Sequence, residues 1–154
     1  MERKRFIQTI RYICFFNAKK RGDYVRKRKI FGYVGKNVRL PLMLIPFRSE
    51  NIILHNNIEI ASGVKLIPHD AIHGVFNGMP DQTHRYKEHI GKIEIMDNVF
   101  VGTNAIILGP CKIGPNVIVG AGALVSGNIP AGSVVGGVPA KIIGSFDELK
   151  KKRG

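Results

Sequence analysis

Four of the chain's five histidines fall in one stretch, LIPHDAIHGVFNGMPDQTHRYKEHIGK (66–92): His69, His73, His84 and His89. Imidazole exchanges a proton near neutral pH, and its neutral form also ligates metals. Two chemistries follow. A histidine beside a substrate hydroxyl takes the proton as the oxygen attacks an acyl carbon, a role that contributes about 10²- to 10⁴-fold. Alternatively, His69 and His73 with His84 or His89 supply the three protein ligands of a catalytic zinc. No Ser or Cys lies beside a base in this stretch, so no covalent acyl-enzyme is expected. Asp70 adjoins His69, but neighbours in an extended segment point to opposite faces, which makes it a poor orienting partner.

This stretch interrupts a repeat. In VGTNAIILGPCKIGPNVIVGAGALVSG (101–127), Val101, Ile107, Ile113, Val119 and Val125 recur at every sixth position, and Ile95 extends the series backwards. Val99, Ala105, Cys111, Val117, Ala123 and Ile129 mark the fifth place of each unit. A helix repeats its buried face at about 3.6 residues and a strand at 2, so a period of six calls for a short strand plus a corner. Gly102, Gly114 and Gly120 follow the first place, and Asn98, Asn104, Pro115 and Asn116 precede the fifth, where a chain must bend. The pattern returns upstream at Leu54, Ile58, Ile60, Val64 and Leu66, and more faintly at Val34, Val38 and Leu40. Stacked coils of three hexads, a parallel β-helix, bury such residues in one continuous core. A long excursion from a rigid solenoid marks function. Among its histidines, His69 closes the last regular hexad and has the best fixed backbone.

The charge is uneven. Residues 1–40 hold 13 Lys and Arg against Glu2 and Asp23, whereas 41–154 hold 11 against 9 acids, of a total net charge of +13. A near-neutral core argues against a nucleic-acid platform. The N-terminal MERKRFIQTIRYICFFN is interrupted by Gln8, Thr9, Arg11 and Tyr12, too polar for a signal peptide or a membrane span. It has helical spacing instead, with Phe6, Ile7, Ile10, Ile13 and Cys14 on one face. That face either packs on its own domain or a neighbouring subunit, or lies on an anionic membrane. Cys14 and Cys111 form no disulfide framework; Cys111 is in register with the inner positions and reads as a small buried hydrophobe. The closing GGVPAKIIGSFDELKKKRG (136–154) reads as a departure from the prism into a short basic helix.

The hexads, followed by Val119-Gly120-Ala121-Gly122 and Gly137-Val138-Pro139-Ala140-Lys141, resemble the hexapeptide-repeat acyltransferases, in particular the galactoside, maltose, capsule and xenobiotic O-acetyltransferase branch. The resemblance implies an all-β fold, a left-handed parallel β-helix, with short N- and C-terminal helical segments and a homotrimer whose active sites lie between subunits. It divides the chain into a basic segment 1–32, a β-helix 33–145 with an inserted loop 67–92, and a tail 146–154. His69 matches the family's general base, acetyl-CoA would be the acyl donor, and a sugar or polysaccharide-precursor hydroxyl the acceptor. Gly102, Thr103, Gly120, Ala121, Gly122 and Ser126 match donor-contacting positions, glycine admitting close approach of a pantetheine arm. Lys141 matches a basic residue near the donor's phosphates, and Thr103 also suits an oxyanion donor. No metal is expected, and the zinc-bearing carbonic-anhydrase branch arranges its histidines differently. A cytoplasmic enzyme is expected, touching the inner membrane surface through residues 1–30. A non-catalytic scaffold or membrane-surface module is the alternative.

Overall fold

The computed structural model describes residues 2–41, 44–80 and 83–154. Most strands of its solenoid are triplets that alternate inward and outward, the pattern the hexads demand. The first face holds β1 (Tyr33–Val34), β3 (Ile52–Leu54), β6 (Ile93–Ile95) and β9 (Cys111–Ile113). The second holds β2 (Val38–Arg39), β4 (Ile58–Ile60), β7 (Val99–Val101), β10 (Val117–Val119) and β12 (Ser133–Gly136). The third holds β5 (Lys65–Ile67), β8 (Ile106–Leu108) and β11 (Leu124–Ser126). Neighbouring strands within each face are parallel, and the coils form a left-handed β-helix. The inner residues Ile52, Leu54, Ile93, Ile95, Val101, Ile107, Ile113, Val119 and Val125 are fully buried. Each contributes roughly 1.5–3 kcal/mol through removal from water. Cys111 joins them, and burial pushes its thiol pKa up to about 11 against a smaller, opposing hydrogen bond from the Gly127 backbone.

Register shows how the insertion is tolerated. Between complete coils the pairing steps by 18 residues, with Ile93 opposite Cys111, Val99 opposite Val117 and Ile106 opposite Leu124. Across the insertion it steps by 41, with Ile52 opposite Ile93 and Lys65 opposite Ile106. The loop therefore adds 23 residues to one coil without shifting any pairing.

Asparagine dominates the corner between the first and second faces. Asn37, Asn57, Asn98 and Asn116 all have φ between 54° and 60°, a left-handed conformation that Asn tolerates better than most residues. Their amides form a ladder: Asn37 Nδ2 donates to Asn57 Oδ1 (2.7 Å), Asn57 Nδ2 to Asn98 Oδ1 (2.8 Å) and Asn98 Nδ2 to Asn116 Oδ1 (3.0 Å).

Two helices cover the N-terminal end, α1 (Glu2–Ile13) and α2 (Ala18–Lys27). The side chain of Asn17 caps α2 by accepting from the backbone N–H of Lys19 (2.8 Å) and Lys20 (3.4 Å). Gly22 lets α2 lie against β2, since a Cβ there would stand 2.0 Å from the Val38 carbonyl oxygen. Arg21 is buried and donates to the carbonyls of Leu40 (3.0 Å) and Phe15. The Tyr12 hydroxyl donates to the Pro41 carbonyl, and burial raises its pKa to about 12 despite opposition from Arg21. Thr9 and Tyr12 thus face the domain, while Phe6, Ile7, Ile10 and Ile13 remain exposed. Of the alternatives for the apolar stripe, packing on its own domain is not what the chain adopts: the buried hydroxyl of Tyr12 has a carbonyl partner, and that contact orients the helix. At the other end, β13 (Lys141–Ser145) pairs antiparallel with β12 and leads into α4 (Phe146–Arg153).

Candidate active site

The loop begins and ends at a hydrogen-bonded neck. His69 bridges Ile90 in antiparallel fashion, the Asp70 N–H donates to the His89 carbonyl (3.1 Å) and the Gly91 N–H to the Pro68 carbonyl (2.7 Å). His69 is therefore anchored on both sides, directly after β5. Asp70 has a different task, accepting from the Ile72 N–H (3.0 Å) at the start of α3 (Ile72–Asn77).

Around His69 the structure assembles residues that sequence reasoning missed. The Phe47 ring meets the imidazole edge-on at 4.9 Å between centroids, and the Arg48 guanidinium lies 5.0 Å over Phe47. Arg48, itself at φ 58°, donates through Nε (3.1 Å) and Nη2 to the Glu88 carboxylate. That bond holds the Glu88 carboxyl below the usual range; partial burial opposes it, and the charges of Arg48, His69 and His73 reinforce it. Glu88 thus brings His69 and His73 into one electrostatic neighbourhood. Nδ1 of each imidazole is buried without a hydrogen-bond partner among the described residues. An unpaired buried polar atom costs about 1–3 kcal/mol, a cost that sets these two imidazoles apart from the rest of the loop. His69 lines a cavity of about 410 Å³ together with largely apolar groups, among them Leu44, Pro46, Phe47, Leu66 and Ile67. Phe47, Arg48 and Glu88 carried no signal in the repeat, because their juxtaposition depends on how the loop folds back.

The other loop histidines, His84 and His89, have different surroundings. His84 stacks on Tyr86 (4.4 Å), which meets Phe76 (5.1 Å), beside a second cavity lined by Asn77, Thr83, His84 and Arg85. His89 is exposed. Among the described residues no group of three His, Cys, Asp or Glu side chains has the geometry of a metal site.

The expected donor-contacting residues gather elsewhere. Gly102 and Thr103 on one coil, and Gly120, Ala121 and Gly122 on the next, stack at the corner between the second and third faces; the Gly102 N–H donates to Val119 and the Gly122 N–H to Thr103. Gly137 to Ala140 continue that column, since the Leu124 N–H donates to Gly137 (3.0 Å) and the Ala140 N–H to Leu124 (2.8 Å), which leaves Lys141 exposed at its head. Gly102 has a structural reason of its own: a Cβ would lie 2.5 Å from the Ala121 nitrogen in the next coil. Gly122 has φ +69° and open space around it. Ser126 is exposed at the far end of β11, on the edge of the third face that His69 occupies. The length of a three-residue strand, about 10 Å, separates that edge from the glycine corner, so a single chain does not bring His69 and the corner residues together. The surface between them is largely apolar, with Ile67, Ile106, Leu108 and Leu124 half-buried beside the exposed Lys65.

This architecture recurs among known proteins. The family described as bacterial transferase hexapeptide (six repeats) matches residues 92–127. YvoF of Bacillus subtilis, named for an inferred acetyltransferase activity, is 31% identical over 148 residues, covering 95% of this chain and 77% of the relative. Protein CapG of Staphylococcus aureus is 38% identical over 130 residues, 81% of this chain and 72% of the relative. The crystal structure of a maltose O-acetyltransferase from Clostridium difficile superposes with a TM-score of 0.64 at 23% identity, covering 93% of this chain and 84% of that one, and shares the fold. Identity sustained along nearly the whole chain, together with the coil geometry and the inserted histidine loop, shows that the protein belongs to the hexapeptide-repeat acetyltransferase family.

Proposed function

We propose that the protein transfers an acetyl group from acetyl-CoA, the donor of its family, to a hydroxyl of a sugar or polysaccharide precursor, with His69 as general base. The observation that carries this reading is His69 itself, clamped at the loop neck and lining a largely apolar cavity. The imidazole accepts the acceptor's hydroxyl proton as the oxygen bonds to the thioester carbonyl carbon. Thr103 or a neighbouring backbone N–H stabilises the resulting oxyanion. As the C–S bond breaks, the imidazolium returns its proton to the departing sulfur, leaving an acetyl ester and free CoA. Gly102, Thr103, Gly120, Ala121, Gly122 and Ser126 line the donor's path and Lys141 meets its phosphates. Because His69 and the glycine corner lie on opposite edges of the third face, the reading includes a homotrimer in which one subunit's corner meets a neighbour's His69 across that apolar surface.

The test is thiol release from acetyl-CoA against a panel of sugars, nucleotide sugars and amines. Release with a hydroxyl acceptor supports the proposal. Release with amines alone replaces ester formation by amide formation, and calorimetry without saturable heat from CoA would favour a scaffold.

Within this reading Glu88 is a positioning residue. Replacing Glu88 with Gln removes the carboxylate that holds Arg48, whose guanidinium lies over the Phe47 ring that packs on His69. kcat/KM is then expected to fall by about tenfold, and Glu88→Asp to restore it partially. An unchanged kcat/KM in Glu88→Gln would detach this carboxylate from the reaction.

A further inference from the structure

The apolar stripe of α1 faces away from the chain. Phe6, Ile10 and Ile13, spaced i, i+4 and i+7, are 65%, 48% and 44% exposed; Ile7 beside them is 43% exposed and Phe16, just past the helix, 99%. The opposite side is already used, by Thr9 and Tyr12. Large side chains in water along one helical face mark a surface that something covers.

Charge selects the occupant. Residues 1–40 carry 13 Lys and Arg and only Glu2 and Asp23 as acids. Arg11 borders the stripe and is exposed, as are Lys19 and Lys20 in the first turn of α2 and Lys27, Arg28 and Lys29 at its end. Among the described residues of the two helices the ion pair is Arg26 with Asp23, at 2.9 Å. A second copy docking here through the same face would bring two strongly basic segments together. Anionic headgroups would instead attract each cation while the acyl boundary accepts the aliphatic and aromatic side chains. Length selects the mode: 12 residues of helix reach about 18 Å, short of the roughly 30 Å hydrocarbon layer. No helix of the described residues is long and apolar enough to cross a membrane.

We propose that α1, with the exposed cations that follow it, is an in-plane anchor for an anionic lipid bilayer. Phe6, Ile7, Ile10, Ile13 and Phe16 enter the headgroup–acyl boundary, and Arg11, Lys19, Lys20 and Lys27 to Lys29 meet the phosphates.

The test is co-sedimentation of the full chain with vesicles of phosphatidylglycerol and phosphatidylcholine, or of phosphatidylcholine alone, at about 50 and 500 mM salt. Partitioning onto the mixed vesicles is expected, at least about tenfold weaker on phosphatidylcholine alone and weakened by salt. The double variant Phe6→Ser with Ile10→Ser, both exposed, should lose roughly tenfold or more of that partitioning with an unchanged thermal midpoint. Equal binding to both vesicle types, binding to neither, or undiminished partitioning of the variant overturns the proposal. So does a variant that loses oligomer mass yet still partitions, which would assign the stripe to a second copy.

Discussion

Replacing His69 with alanine is expected to lower turnover by about 10²- to 10⁴-fold, with the affinity for CoA changed by less than about threefold. In the proposed reaction the two quantities separate because the imidazole would act on the acceptor's proton as the new bond forms, whereas the glycine corner and Lys141, the proposed donor site, stand a strand's length away. The variant should also stay folded. His69 is half-buried and packs edge-on against Phe47, but the neck is held by backbone bonds at Pro68, Asp70, His89 and Gly91. Steady-state kinetics with calorimetric CoA binding measures both. Near-normal turnover would remove His69 from the chemistry, and a parallel collapse of CoA affinity would make it a structural residue.

A second large effect is expected at Gly91, in stability. Gly91 leaves the loop and stacks on Gly109 of the next coil so closely that a Cβ would lie 2.3 Å from the Gly109 carbonyl carbon and 2.3 Å from the Pro110 nitrogen. Those are backbone atoms inside a paired solenoid and cannot swing aside as a side chain can. Gly91→Ala must therefore push adjacent coils away from each other at the base of the active loop, at a cost of about 3–5 kcal/mol, which lowers the thermal midpoint by roughly 10 °C for a chain of this size. Gly74→Ala supplies the contrast. It lies in α3 with nothing within 4 Å of its added carbon, so alanine should be neutral or stabilise by up to about 1 kcal/mol. Equal midpoints for the two variants would show that the coils do not meet this tightly.

The solenoid was legible because each inner position is dictated by one rule, burial of an aliphatic side chain at a fixed spacing. From Ile52 to Val125 the structure follows that spacing, and the interruption falls where the repeat breaks. Of the candidate site only His69 stood out in the sequence, because its position is fixed by the last hexad. Phe47, Arg48 and Glu88 escaped notice because they approach the histidine from two segments about 40 residues apart, and no periodicity relates them. The glycines were ambiguous for another reason. Absence of a side chain looks the same in a sequence whether the space is taken by a ligand or by the next coil, and at Gly102 the nitrogen of Ala121 already occupies it. In α1 the pattern named two faces correctly but not which one docks; the buried hydroxyl of Tyr12, satisfied by Pro41, favoured the less apolar side.

The paired neck between Pro68–Asp70 and His89–Gly91 has one more consequence. Because the strands on either side stay in step however many residues lie between, the excursion is a cassette: its length and contents can be exchanged while the prism beneath keeps its melting behaviour and His69 keeps its place. The loop's contents can thus diversify in this scaffold without renegotiating the core.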